Sequence, residues 1–189
     1  MSRAIEASRH VSATLAKICQ GKVYLVFFDT NPMTVDVTGL PLDSIQKATR
    51  HITANGGTSI GCGLNRMLSE KVEIDGIAIV SDGEENTSPR FADVYKRYCE
   101  FAGKQVPVYF YHVEGSGSFA GELNREGIEM QTFDIRGGTD YYSIPNLAST
   151  MRTCMYSLVD EIMATPLLSL EKVLSHAKNQ LSSRVGATV

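Results

Sequence analysis

Hydrophobic and polar positions follow two different periods along the chain, and these periods predict helices and strands in turn. An apolar period of three to four residues predicts helices over 3–19, 42–52, 60–68, 91–101 and 144–163. Short apolar runs rich in β-branched and aromatic residues predict strands over 23–28, 77–80, 106–111 and 130–133, with a short edge strand over 33–37. Strands of this kind are covered on both faces. The alternation predicts an α/β fold with a doubly wound, mostly parallel sheet and helices on both faces.

The carboxyl-terminal part of the chain predicts one further helix. Thr165 fits a helix cap and Pro166 fits the first turn that follows it. The apolar residues of this helix follow a heptad spacing and are Leu167, Leu170, Leu174, Ala177 and Leu181. We therefore predict a domain over residues 1–164 and a C-terminal amphipathic helix and tail over 165–189. The helix either docks on the domain or packs on a partner's helix, which would make a homo- or hetero-oligomer.

Composition narrows the class of protein. The chain is 43% hydrophobic and 21% charged, as in ordinary globular domains. Its net charge of −3 and the lack of a basic run argue against direct nucleic-acid binding and against a membrane surface. No apolar stretch reaches the length of a membrane span, and the amino terminus lacks the apolar core of a signal peptide. The four scattered cysteines form no C-x-x-C pair, so we expect a cytoplasmic protein without a zinc ribbon.

Two short polar motifs carry the candidate chemistry. One is the Gly-Gly-Thr-Ser turn at residues 56–59, and the other is the Ser-Asp-Gly motif at 81–83, directly after an apolar strand. In an open α/β sheet both motifs would lie at the edge where the carboxyl ends of the strands face a crevice. The Thr58 hydroxyl and the Asp82 carboxylate are oxygen ligands suited to a hard cation. The alternative is that Thr58 caps the next helix and Asp82 caps a loop.

These two motifs, and the order of elements between them, resemble a von Willebrand factor type A domain. Residues 23–82 look closest to the C-terminal domain of the Ro ribonucleoprotein autoantigen and its bacterial relatives, and the resemblance extends over residues 1–160. It implies a metal-ion-dependent adhesion site built from three loops, with Thr58 from the second loop and Asp82 from the third. The implied cofactor is Mg²⁺, or Mn²⁺ or Ca²⁺, and the implied partner is a protein that presents a carboxylate to the ion.

The sequence departs from this family at the first loop. The family's D-x-S-x-S loop and the strand before it would lie upstream of Met1. Asp29-Thr30-Asn31 does not replace that loop, because it follows the second strand of the pattern and has no serine pair. We expect this chain alone to bind the ion weakly or not at all. The absent strand is central in this fold, so another chain or an upstream segment would donate it; alternatively, an internal methionine was taken as the start.

Five further residues are candidates for partner binding. Ser59 lies beside Thr58 in the glycine turn, and Tyr141 and Tyr142 could contribute to the rim of a binding surface. Glu84 and Glu85, with Asn86 directly after them, could add oxygen ligands or form an acidic patch for a cationic partner, although such residues also occur in ordinary solvated loops.

These observations predict a non-enzymatic protein-binding module that works through a partial adhesion site, within a Ro-like or another multi-subunit assembly. One alternative is a structural assembly subunit that keeps the fold with an inactive metal site. A metal-assisted hydrolase is less well supported. Asp82 with Glu84 or Glu85 could act as base and ligand, but no nucleophile with a base and an orienting group can be named.

Overall fold

Helices and strands alternate along the chain, much as the apolar pattern predicts. The computed structural model describes residues 2–53, 56–113, 115 and 117–134, and all of them belong to one compact unit. The helices are α1 (Ser2–Ile18), α2 (Leu42–Thr49), α3 (Gly61–Ser69), α4 (Phe91–Ala102) and α5 (Phe119–Arg125). The strands are β1 (Tyr24–Phe27), β2 (Met33–Asp36), β3 (Ile77–Ser81), β4 (Val108–His112) and β5 (Met130–Asp134).

The described strands form two separate ladders. Strands β1 and β2 pair antiparallel, whereas β3, β4 and β5 form a parallel sheet with β4 in the middle. A parallel sheet flanked by helices confirms the α/β class and is compatible with a Rossmann-like core. The prediction of a single mostly parallel sheet is met only in part, because β1 and β3 are not hydrogen-bonded to each other in the described part of the chain.

The larger core covers one face of the parallel sheet. It joins residues of α3, α4 and α5 to β3 and β4, and the Phe119 ring contacts the rings of Phe91 and Phe110. Strand β4 is the most deeply buried strand, and Tyr109 and Tyr111 are 1% and 0% exposed. A strand with neighbours on both edges and apolar packing on both faces reads as a continuous apolar run, which is why the pattern predicts β4 well.

A smaller core lies between the antiparallel pair and the first two helices. Its buried members are Ala13, Val23, Leu25, Val37 and Ile45. The Arg9 guanidinium links α1 to α2, since its Nε and Nη2 atoms each donate at 2.8 Å to the hydroxyl and the carbonyl of Thr49. Helix α1 also contacts both β1 and β3.

Three findings differ from the predictions. Helix α2 ends at Thr49 rather than at residue 52. Helix α5 was not predicted, because seven residues are too few to show a period, although Phe119 and Leu123 are both buried. Only Leu25 is buried in β1, and only Ile79 and Ser81 are buried in β3. The other residues of both strands are half-buried, so the expected covering on both faces is wrong for most of these two strands.

Two of the predicted features lie outside the described residues. These are the helix over 144–163 and the C-terminal helix with its boundary after residue 164. Among the residues that the structure does describe, no helix combines the length and the apolar character that a bilayer crossing requires.

Candidate functional site

The loops that follow β1, β3 and β4 meet at one edge of the molecule. The Ser59 amide donates to the Asp29 carbonyl at 2.9 Å, which ties the glycine turn to the loop after β1. At the end of β3, the Ser81 carbonyl accepts from the Val113 amide at 3.0 Å. The Thr58 and Asp82 loops therefore lie at the carboxyl ends of the strands, where α/β sheets usually bind ligands.

Asn86 clamps the Thr58 turn to the loop after β3. The Thr58 amide donates to Asn86 Oδ1 at 2.8 Å, and the Thr58 carbonyl accepts from the amides of Asn86 and Thr87 at 3.0 Å each. These bonds use only the backbone of Thr58. Its hydroxyl has no hydrogen-bond partner among the described residues, which leaves Oγ1 available to a ligand.

Asp82 is held by its neighbours at the end of β3. Its Oδ1 accepts from the Ser81 hydroxyl and from the Glu84 amide, both at 3.2 Å. Its carbonyl oxygen lies 3.1 Å from His112 Nε2, and since a carbonyl can only accept, Nε2 carries the proton. Within the described chain Oδ2 has no partner, so one oxygen of this carboxylate remains for a ligand.

Close backbone contacts with two glycines position the loop that carries Asp82. A Cβ atom placed on Gly117 would collide with the carbonyl group of Gly83, and Gly83 in turn donates through its amide to the Ser81 hydroxyl at 3.2 Å. Gly115 and Gly117 therefore pack directly on the segment that carries Asp82. Only a residue without a side chain allows this approach.

Thr58 and Asp82 lie in adjoining loops at this edge, which we call the rim. Their separation is limited by segment 82–86, whose end Cα atoms are at most about 14 Å apart when it is fully extended, and by Asn86 Oδ1, which accepts a hydrogen bond from the Thr58 amide. Among the residues that the structure describes, no group of three or more His, Cys, Asp or Glu side chains is placed to hold a metal ion. A six-coordinate ion held by Thr58 and Asp82 would take its other oxygens from water or from another segment.

Glu85 caps two helices at once. Its Oε1 accepts from the Gly61 amide at 2.9 Å and from the Phe91 amide at 3.0 Å, and Oε2 lies 3.1 Å from the same Phe91 nitrogen. These are the first amides of α3 and α4, which need an acceptor and attract negative charge. Burial raises the pKa of the Glu85 carboxyl, although the backbone bonds and Arg90 oppose this. Both oxygens of Glu85 are thus engaged within the fold.

The remaining candidates differ in accessibility. Ser59 is 0% exposed, and its hydroxyl donates to the Pro89 carbonyl at 2.7 Å, so it joins two loops beneath the rim. Glu84 is exposed beside Asp82, and its carboxylate makes no hydrogen bond within the described part of the chain. Tyr141 and Tyr142 lie outside the described residues.

Asn86 joins the two loops, a role that differs from the possible oxygen ligand that its place beside Glu84 and Glu85 predicts. An asparagine between an acidic pair and a threonine is common in turns, and its bond to Thr58 spans 28 positions of the chain. The sequence signal available was its place just after Asp82. The spacing of apolar residues within one segment does not indicate a hydrogen bond between residues so far apart in the chain.

Comparisons with known proteins do not extend these findings. Neither the scan against protein-family models nor the search of curated proteins gives a match to this chain.

Proposed function

We propose that this protein is a non-enzymatic binding module that recognises a partner protein through a divalent cation at the rim. Thr58 Oγ1 and Asp82 Oδ2 would be the ligands from this chain. The observation that carries the proposal is the Asn86 clamp, which ties both loops together while leaving these two oxygens without partners in the described chain.

The chemistry of the rim sets the class of ion and of partner. Hydroxyl and carboxylate oxygens are hard ligands that suit Mg²⁺, Mn²⁺ or Ca²⁺. Two protein oxygens leave most coordination positions to water, so the affinity of this chain alone is low. A carboxylate from a partner protein would replace one of these waters, and the exposed Glu84 would disfavour partners with excess negative charge around that carboxylate.

The resemblance to von Willebrand factor type A domains supports this reading. In that family a threonine turn and a strand-end aspartate occupy the positions of Thr58 and Asp82, and the α/β architecture with loops at one edge is compatible with it. We extend the proposal to a cytoplasmic, Ro-like or other multi-subunit assembly, in which the C-terminal helix serves as an oligomer contact.

A structural assembly subunit remains the second candidate. The side chains of Glu85 and Ser59 hydrogen-bond to backbone groups and hold loops and helices together, which a purely structural domain also requires. The two candidates differ in what depends on Thr58 and Asp82. A structural subunit keeps its partners when both oxygens are removed, whereas a cation-dependent module loses them.

Magnesium titration by calorimetry tests the proposal. For the wild-type chain we expect a dissociation constant of about 1 mM or weaker. A synthetic peptide that carries a D-x-S-x-S sequence should tighten it, because it supplies further oxygen ligands. Thr58→Ala and Asp82→Asn should each weaken binding at least about tenfold, which corresponds to the loss of one ligand.

Asp75→Asn is the matched control. Asp75 is 76% exposed and bonds to Lys104 at the other end of β3, so its replacement removes the same charge far from the rim. Equal weakening by Asp75→Asn and Asp82→Asn would mean that the ion responds to net charge alone. Tight binding that needs no peptide and survives both rim substitutions would also contradict the proposal.

A further inference from the structure

Among the described strands, β3 pairs along one edge only, the edge that faces β4. The Ile77 amide donates to the Pro107 carbonyl, and the Ser81 carbonyl accepts from the Val113 amide, so residues 77, 79 and 81 direct their backbone groups to β4. Successive residues of a strand point to opposite edges. The N–H and C=O groups of Ala78 and Val80 therefore point away from β4, where no described strand lies.

Strand β1 has a similar edge. The Val37 amide donates to the Val23 carbonyl at 2.9 Å, so the backbone of Val23 faces β2. Because alternate residues of a strand face the same edge, the backbone groups of Leu25 and Phe27 also face β2. Tyr24 and Val26 then direct their backbone groups to the other side, and no strand within the described residues pairs with them.

These edges of β1 and β3, which pair with no other described strand, lie against the same helices. Helix α1 contacts both β1 and β3. On the other face, a Cβ on Gly63 of α3 would lie 2.9 Å from Val26 of β1, and Leu64 of the same helix shares the larger core with Ile79 of β3. Successive β1 residues divide between the two cores, since Leu25 belongs to the smaller one and Val26 packs on the larger. The space between β1 and β3 thus has helices on both faces.

The apolar side chains along these edges are less buried than their composition predicts. Ala78, Val80, Tyr24 and Val26 are all half-buried, although they belong to runs that contain no charged residue. In β4, which has a strand on each side, the corresponding residues are buried. An added strand would cover these side chains and would satisfy the backbone groups beside them.

We propose that an extended apolar segment of a different protein inserts into the space between β1 and β3, which we call the slot. It would bond to Ala78 and Val80 on one side and to Tyr24 and Val26 on the other, and it would join the two ladders into one sheet. Because helices cover both faces of this space, the segment needs apolar side chains on both of its faces. It contains no proline, because its amides must donate hydrogen bonds to the strands on either side. The inference rests on the sheet edges and is independent of the cation.

Peptide binding to the full 189-residue chain tests this. The probe is a fluorescein-labelled peptide, Lys-Lys-Val-Ile-Val-Val-Ile-Lys-Lys, followed by fluorescence anisotropy in the presence of EDTA. It contains no carboxylate or hydroxyl side chain, so its binding reports on the slot even if the cation site fails. We expect saturable binding, and we expect at least a tenfold loss when the central valine of the peptide is replaced by proline.

The chain itself offers a matched pair of variants. Ala78→Pro removes an amide that faces the slot and leaves the bonds to β4 in place. Thr132→Pro makes the same change on the outward edge of β5, at the far side of the same sheet. Circular dichroism checks that both variants fold. Binding should fall at least tenfold in Ala78→Pro and should stay within twofold of the wild type in Thr132→Pro.

Three results would overturn the inference. The first is failure of the wild-type chain to bind the peptide, and the second is equal binding by the wild type and Ala78→Pro. The third is a wild-type dimer that the peptide does not disrupt and that Ala78→Pro dissociates in sedimentation velocity, because a second copy of this chain would then occupy the slot.

Discussion

Replacing Glu85 with alanine is expected to lower the free energy of unfolding by about 2–4 kcal/mol. The carboxylate accepts from the first amides of α3 and α4, and its loss leaves both without their acceptor. An amide left unsatisfied in a partly buried place costs about 1–3 kcal/mol, and loss of a helix cap costs about 0.5–2 kcal/mol. Two helix ends are affected by one substitution, so this is the largest effect we expect.

Urea unfolding followed by circular dichroism measures this effect, and Glu84→Ala is its control. Glu84 carries the same charge one position earlier, but its carboxylate is exposed and makes no hydrogen bond within the described chain. We expect Glu84→Ala to change stability by no more than about 0.5 kcal/mol. If the two variants unfold at the same urea concentration, Glu85 is not the shared cap that we describe.

The same residue connects the core to the candidate site. Glu85 lies between Asp82 and Asn86 in the loop, so its two bonds anchor the segment that carries one ligand and clamps the other. Glu85→Ala should therefore also weaken magnesium binding, although Glu85 is not expected to touch the ion.

Gly61→Ala is expected to lower the free energy of unfolding by about 1–3 kcal/mol. A Cβ at this position would lie 2.5 Å from the Pro89 carbonyl oxygen, 2.6 Å from the Arg90 carbonyl carbon and 2.7 Å from the Phe91 nitrogen. All three are backbone atoms at the start of α4, so no flexible side chain can move aside. The two helices would have to separate, and that would lengthen the bonds to Glu85.

Gly121→Ala in α5 provides the contrast for this substitution. An added Cβ there meets nothing within 4 Å, so the higher helix propensity of alanine should raise stability by about 0.5–1 kcal/mol. Thermal unfolding of both variants should give shifts of opposite sign. A Gly61→Ala variant as stable as the wild type would mean that α3 and α4 do not start in close contact.

The sequence predicts a helix or strand best where the segment's own apolar pattern is long enough to determine its secondary structure. The strand over β4 and the helix over α4 carry long, clear apolar patterns, and their bounds lie within two residues of the prediction. Helix α5 escapes detection because it follows a glycine-rich loop and shows only Phe119 and Leu123 as an apolar pair. The partial exposure of β3 depends on which strand lies beside it, and a single segment cannot reveal that.

The residues of the candidate site also differ in how far the sequence alone predicts their positions and roles. The placement of Thr58 and Asp82 at one edge follows from a general rule about the carboxyl ends of strands in α/β sheets. The roles of Ser59, Glu85 and Asn86 depend on bonds to residues 24 to 30 positions away. The sequence predicts Ser59 and Glu85 as binding residues because their side chains are polar. The structure shows that their polar atoms are used to join loops and helices.

The most direct test of the cation site is the line broadening that Mn²⁺ causes in amide spectra of the ¹⁵N-labelled chain. At substoichiometric Mn²⁺ we expect the amides of Thr58 and Glu84 to broaden together, whereas that of Asp75, at the far end of β3, stays sharp. Excess Mg²⁺ should restore the lost signals, since the two ions accept the same oxygen ligands. Broadening confined to one of the two loops, or strongest around Asp75, would contradict a shared cation site.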